Sequence, residues 1–149
     1  MSTIFTERLN ELLALEGLTP FGLAQATGLT LKSVHNWTRG IFYPNARALL
    51  VLVDYFKISA DYLLGEDCVL REKVGKPITV EQAQVNVVKK LEEYRTREEI
   101  TYGRLSRLLG VGQCTLSRWF KEKAMPETTI LIRIAKLLDI SIDELLGRE

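Results

Sequence analysis

One histidine, His35, and two cysteines, Cys68 and Cys114, are the side chains of this chain best suited to proton transfer, nucleophilic attack or metal ligation near neutral pH. His35 has no carboxylate or second imidazole at a spacing that would orient it as a general base or ligand. The cysteines occupy unrelated places, with neither a disulfide framework nor a Cys/His ligand spacing, and Cys114 reads as an ordinary small residue rather than a redox switch. Glycine-rich phosphate loops, paired catalytic carboxylates and metal motifs are absent, so the sequence reads as that of a non-enzyme with no cofactor and no metal. The chemistry left is recognition. Along Leu31 to Arg39, Val34 and Trp37 fall at i, i+3 on an inner helical face, which leaves Leu31, Lys32, His35, Asn36 and Arg39 outward as a strip of hydrogen-bonding, cationic and apolar groups.

The elements that must hold this strip occur twice. Sliding the chain by 82 positions aligns residues 4–65 with 86–147 without a gap and gives 15 identities in 62 pairs, against roughly four expected from ordinary residue frequencies. Leu23/Leu105, Gly28/Gly110, Trp37/Trp119, Pro44/Pro126, Ile58/Ile140, Ser59/Ser141, Asp61/Asp143 and the closing Leu-Leu-Gly at 63–65 and 145–147 coincide. The expected organisation is a first domain over 1–65, a linker over 66–79 and a second domain over 80–149. Each unit is near the lower size limit for an independent core, for which a small all-helical fold is the natural solution.

Composition agrees. With 46% apolar residues and few aromatics the chain is globular. Twenty basic against nineteen acidic residues leave a net charge of +1, so any affinity for a polyanion must come from local placement of charge. No apolar stretch approaches the eighteen or so residues that span a bilayer, and no secretory leader pattern is present, so a cytoplasmic protein without membrane attachment is expected.

In the first unit, Phe5, Leu9, Leu12 and Leu13 predict a helix ending near Gly17. Thr19 reads as an N-cap followed by Pro20 at N1, opening a short helix to Thr27 that Gly28 stops, and Thr30 caps the helix from Leu31 to about Arg39. A loop over Gly40 to Pro44 leads to an apolar helix over Asn45 to Phe56, and Ser59 caps a last short helix ended by Gly65. The second unit repeats the plan with helices over Val80 to Arg97, Tyr102 to Leu109, Gln113 to Lys121, Glu127 to Leu138 and Ile142 to Leu146, and a capping-box spacing at Ser141 to Glu144. The fold class is all-α, two five-helix units. Glu66 to Pro77 has mixed charge and little periodicity; a dozen such residues at roughly 3.3 Å each span about 40 Å when extended. The charge cluster Glu92 to Glu99 reads as a solvated helix face, and Trp37 and Trp119 as core residues.

A capped helix, a glycine turn and a second short helix with an inward aromatic form a helix-turn-helix. Both copies resemble the lambda-repressor-like family, also called the Cro/C1 or XRE type. The residues that carry the resemblance are Leu18-Thr19 through Leu23-Ala24, the run Gly28 to Gly40, Pro44 and Lys57 to Gly65, and in the second copy Ile100-Thr101, Leu105, Gly110-Val111, Thr115-Leu116, Trp119, Pro126 and Asp139 to Leu146. They cover about five sixths of the chain. The resemblance implies a DNA-binding transcriptional regulator of bacterial or phage type whose third helix enters the major groove of double-stranded DNA. By matching positions it implies base contacts from Leu31, Lys32, His35 and Asn36 in the first copy and from Gln113, Cys114, Ser117 and Arg118 in the second. Asn36 and Gln113 suit adenine, Lys32 and Arg118 guanine, and Leu31 a thymine methyl. Phosphate contacts fall to Arg39, Lys121 and Lys123 near the helix ends and to the caps Thr19 and Thr101.

The chain departs from the family pattern at Pro20 and Tyr102, where a DNA-contacting glutamine is common, at Thr38 and Phe120, where a glutamate is frequent, and at Glu122, which replaces the glycine matched to Gly40. Pro20, Tyr102 and Phe120, at positions where DNA contacts would be polar, and the near-zero charge motivate an alternative, a protein-interaction or dimerisation module of antitoxin type in which one or both units no longer bind DNA and a homodimer or protein partner takes its place.

Overall fold

The computed structural model describes residues 3–65 and 76–148. Among them are ten helices and no strand, and the chain divides into two compact units, Met1–Gly75 and Lys76–Glu149. Cys68 and residues 66–75 of the expected linker lie outside the described residues.

The first unit holds α1 (Ile4–Glu16), α2 (Pro20–Thr27), α3 (Leu31–Thr38), α4 (Ala46–Phe56) and α5 (Ala60–Leu64). Each of these starts where a short polar side chain can satisfy an otherwise orphaned amide: the oxygens of Thr3, Thr19, Thr30, Asn45 and Ser59 accept from Thr6, Gly22, Ser33, Ala48 and Tyr62. Gly28 stops α2 at φ 76°, a left-handed conformation that costs a residue with a Cβ far more than glycine. The core joins Phe5, Leu9 and Leu12 of α1, Leu23 of α2, Val34 and Trp37 of α3, Leu49, Leu52 and Val53 of α4, and Leu63 of α5, all buried. Phe5 meets Trp37 edge-on, with ring centroids 6.5 Å apart.

The second unit holds α6 (Val80–Glu98), α7 (Tyr102–Leu109), α8 (Gln113–Lys121), α9 (Thr128–Leu138) and α10 (Ile142–Leu146). Its core has the same chemistry: Ala83, Val87, Leu91, Leu105, Leu116, Trp119, Leu131, Ile134, Ile142 and Leu145 are buried. A capping box forms at Thr79, whose hydroxyl accepts from the Gln82 amide while Gln82 Oε1 accepts from the Thr79 amide, a site the spacing did not single out. At Ser141 the hydroxyl accepts from the Glu144 amide, as a cap requires.

Residues 76–79 are part of the second unit. The Lys76 amide donates to the Arg148 carbonyl at 2.8 Å, and Asn86 Nδ2 donates to the Leu146 carbonyl at 2.9 Å, so the end of α10 is tied to the start of α6. The Arg148 side chain is buried and its Nη1 lies 2.6 Å from Asp143 Oδ1, an ion pair that takes both charges out of water together.

Candidate nucleic-acid interface

In each unit two short helices meet across a tight turn, α2 with α3 and α7 with α8, and the second helix of each pair is anchored from behind. Val34 and Trp37 hold α3, while Leu116 and Trp119 hold α8. A second set of anchors is polar. Thr6 Oγ1 donates to the Trp37 carbonyl at 3.1 Å and Asn10 Nδ2 to the Thr38 carbonyl at 3.2 Å, whereas in the second unit Gln84 Nε2 donates to the carbonyls of Trp119 at 2.7 Å and Ala124 at 3.1 Å. Side chains of the first helix thus fix the C-terminal end of the third helix, where carbonyls lack intrahelical partners. Gln84 precedes the aligned repeat and its bonds reach 35 and 40 residues along the chain, so no local spacing reveals it.

With the inner face fixed, the outer face follows. On α3, Leu31 and Lys32 are exposed and His35 and Asn36 half-buried; Arg39, just past the helix, is exposed. On α8, Gln113, Cys114 and Arg118 are exposed and Ser117 half-buried, with Lys121 and Lys123 exposed at and beyond its end. Thr19 and Thr101 are exposed; their hydroxyl oxygens accept from the amides of Gly22 and Arg104, which leaves each O–H to donate outward. Lys123 sits at φ 57°, so the left-handed residue after the third helix is Gly40 in the first unit and Lys123 in the second, one position later in the alignment than Glu122. None of the expected contact residues is drawn into a core.

The two outer faces differ in chemistry. From residue 101 to 124 the second unit carries Arg104, Arg107, Arg118, Lys121 and Lys123 against the single acid Glu122. The matching stretch of the first unit, 19 to 42, carries only Lys32 and Arg39, and exposes Phe21, Leu31, Ile41 and Phe42.

The charge cluster on α6 is more than a solvated face. Arg95 bonds Glu92 through Nη2 and Nε at 2.5 and 3.2 Å, reaches the Ile100 carbonyl through Nη1 and lies 4.3 Å from the centroid of the Tyr102 ring. The Tyr102 hydroxyl donates to Glu92 Oε2 at 3.0 Å, and the Arg95 hydrogen bonds, aided by Tyr102, hold the Glu92 carboxyl below its usual pKa. Tyr102 also meets Phe120 edge-on at 5.4 Å, so two departures from the family pattern are partners of one another within the second unit. The network fastens the N-terminus of α7 to α6.

Residues 91–145 match the family model described as Helix-turn-helix, which is of the Cro/C1, or XRE, type. The matched segment runs from within α6 to within α10 and so contains the α7–α8 pair. The likeness therefore takes in the α7–α8 pair of the second unit and does not extend to the first. No curated protein and no solved structure matches the chain. Among the described residues, no helix is long and apolar enough to cross a membrane and no group of His, Cys, Asp and Glu is placed to hold a metal.

Proposed function

We propose that this protein is a sequence-specific DNA-binding transcriptional regulator whose principal base reader is α8. The observation that carries this reading is the exposure of Gln113, Cys114 and Arg118 on a helix whose opposite face, Leu116 and Trp119, is buried, within the segment that matches the family. Gln113 pairs with adenine, Arg118 with guanine, and Cys114 and Ser117 line the groove between them; Lys121, Lys123 and Thr101 meet the phosphates. Local basicity over 101–124 supports this in a chain of net charge +1.

The first unit is the second reader, with Leu31, Lys32, His35 and Asn36 toward the bases and Thr19 and Arg39 toward phosphates. Two unlike readers in one chain engage two unlike half-sites, and linkage raises the effective concentration of the second, with a gain of about 100-fold or more in avidity. Occupancy of a promoter then represses or activates transcription in the cytoplasm.

A second reading concerns the first unit alone: a protein-interaction or dimerisation surface of antitoxin type. It is favoured by Phe21, Leu31, Ile41 and Phe42, exposed on and beside α2 and α3 with only two charged residues among them. Selection of duplexes from a random pool by the full chain separates the readings. A bipartite motif with two different halves supports two readers, a single short motif assigns base reading to one unit, and no enriched motif overturns the DNA function.

A further inference from the structure

We propose that Gly103 is the seat of the Gln113 side chain, a notch in α7 that sets the direction in which this carboxamide faces the DNA. The inference rests on the reading of α8 as base reader and assigns a positioning residue on the neighbouring helix.

Gly103 is the second residue of α7, and it is not among the glycines at positive φ, so no backbone requirement explains it. Glycine inside a helix is disfavoured relative to alanine because it gives up more backbone freedom on folding. What the missing side chain leaves room for is specific. A methyl group placed on Gly103 would lie 3.0 Å from Nε2 and 3.8 Å from Cδ of Gln113, and 3.8 Å from Oγ1 of the cap Thr101. The carboxamide of the first residue of α8 therefore rests on the first turn of α7. Gly22, one position further along α2, leaves no comparable space in use; a methyl there would meet Leu18 and Thr19 at an ordinary 3.4 Å.

The matching pair in the first unit supports the coupling. Position 103 aligns with Phe21 and position 113 with Leu31, both exposed and both apolar. The corner between the two helices thus carries either a notch with an amide or two apolar side chains, and in each unit the two positions are matched in kind.

The physical consequence is preorganisation. A free glutamine has three rotatable side-chain bonds, and fixing them at the moment of binding opposes the gain from base contacts. Two-point recognition of adenine needs the carboxamide oxygen and nitrogen in place together, so restricting the amide beforehand favours discrimination at one base pair above general affinity. Alanine at 103 forces the amide to shift by a few tenths of an ångström and removes the seat.

The test uses the full chain and the duplex motif it selects from a random pool. Binding of wild type, G103A, Q113A and the double variant is measured on that motif, on the motif changed at the base pair to which Q113A becomes indifferent, and on random DNA, with a thermal melt of each. G103A is expected to melt at or above the wild-type temperature and to keep its affinity for random DNA. It should lose about fivefold or more of discrimination at that base pair alone, and add nothing in the Q113A background. A G103A protein with wild-type discrimination, or one whose loss persists unchanged beside Q113A, overturns the seat while the DNA function stands. A motif at which Q113A changes no base pair does the same. If no motif is selected, the DNA function itself falls and the seat with it.

Discussion

Gln84 donates its side-chain amide to the Trp119 carbonyl at 2.7 Å, binding the end of α8 to the first helix of the second unit. The same amide reaches the Ala124 carbonyl at 3.1 Å, so one buried side chain closes both the helix end and the turn beyond it. Thr6 does the corresponding work for Trp37 with a hydroxyl. The orientation of the outward strip therefore depends on groups on the far side of the helix from its exposed face.

Replacing Gln84 by alanine leaves two carbonyls short of a donor, that of Trp119 in a buried site and that of Ala124 in a half-buried one. An unsatisfied buried polar group costs about 1–3 kcal/mol, and a unit of this size shifts by roughly 4–8 °C per kcal/mol. Urea unfolding of Q84A, followed in a W37F background so that Trp119 reports alone, should show the midpoint lowered with an unchanged slope. An unchanged midpoint would mean that water replaces the amide.

Much of the fold was legible because its determinants are local. Thr19-Pro20 and Thr30 cap, Gly28 turns left-handed, and Val34 and Trp37 share a face, each within a few residues of the event it controls. The outward positions of the candidate interface followed from the same period. What was not legible is non-local. The charge cluster Glu92 to Glu99 reads as a solvated helix face because charge alternation says nothing of Tyr102, which the turn between α6 and α7 brings onto Arg95. The contact of Phe120 with Tyr102 of its own unit is non-local in the same way, and the rest of the Gln113 amide on Gly103 depends on how two helices cross rather than on either sequence.

Arg118 is the strongest candidate for guanine recognition, being exposed, planar and able to donate two parallel hydrogen bonds. A bidentate pair is worth about 1–3 kcal/mol of discrimination, so R118A should weaken binding to the selected motif by roughly 5- to 150-fold and relax one base pair, with a much smaller change on random DNA. Competition binding with the two duplexes measures the ratio. Equal losses on both would assign Arg118 to the phosphates.

Lys121 and Lys123 should behave in the opposite way. A contact to phosphate releases counterions and steepens the dependence of log K on log salt by about 0.9 per site. K121Q and K123N are each expected to lower that slope by about one while leaving the selected motif unchanged. Asparagine is chosen at 123 because it tolerates the left-handed backbone there, φ 57°, and so removes charge without strain. A slope unaffected by both substitutions would place this end of α8 away from the backbone.

The Glu92 carboxyl gives the second unit an acid-sensitive fastening. Its pKa is lowered in the folded state, chiefly by the Arg95 hydrogen bonds and further by Tyr102. A group with a depressed folded pKa binds protons more readily when the chain unfolds. Its stabilisation is therefore complete above the ordinary glutamate value of about 4.3 and fades as pH falls through the lower folded value. Both partners are partly exposed, so solvent screens the pair and the effect is small. E92Q should melt slightly below wild type at neutral pH, and the two melting curves should converge as pH drops from about 5 to about 3. High salt should narrow the neutral-pH gap as well, since screening weakens the same pair. A difference constant across that pH range would assign the contribution of Glu92 to packing and neutral hydrogen bonding instead of charge.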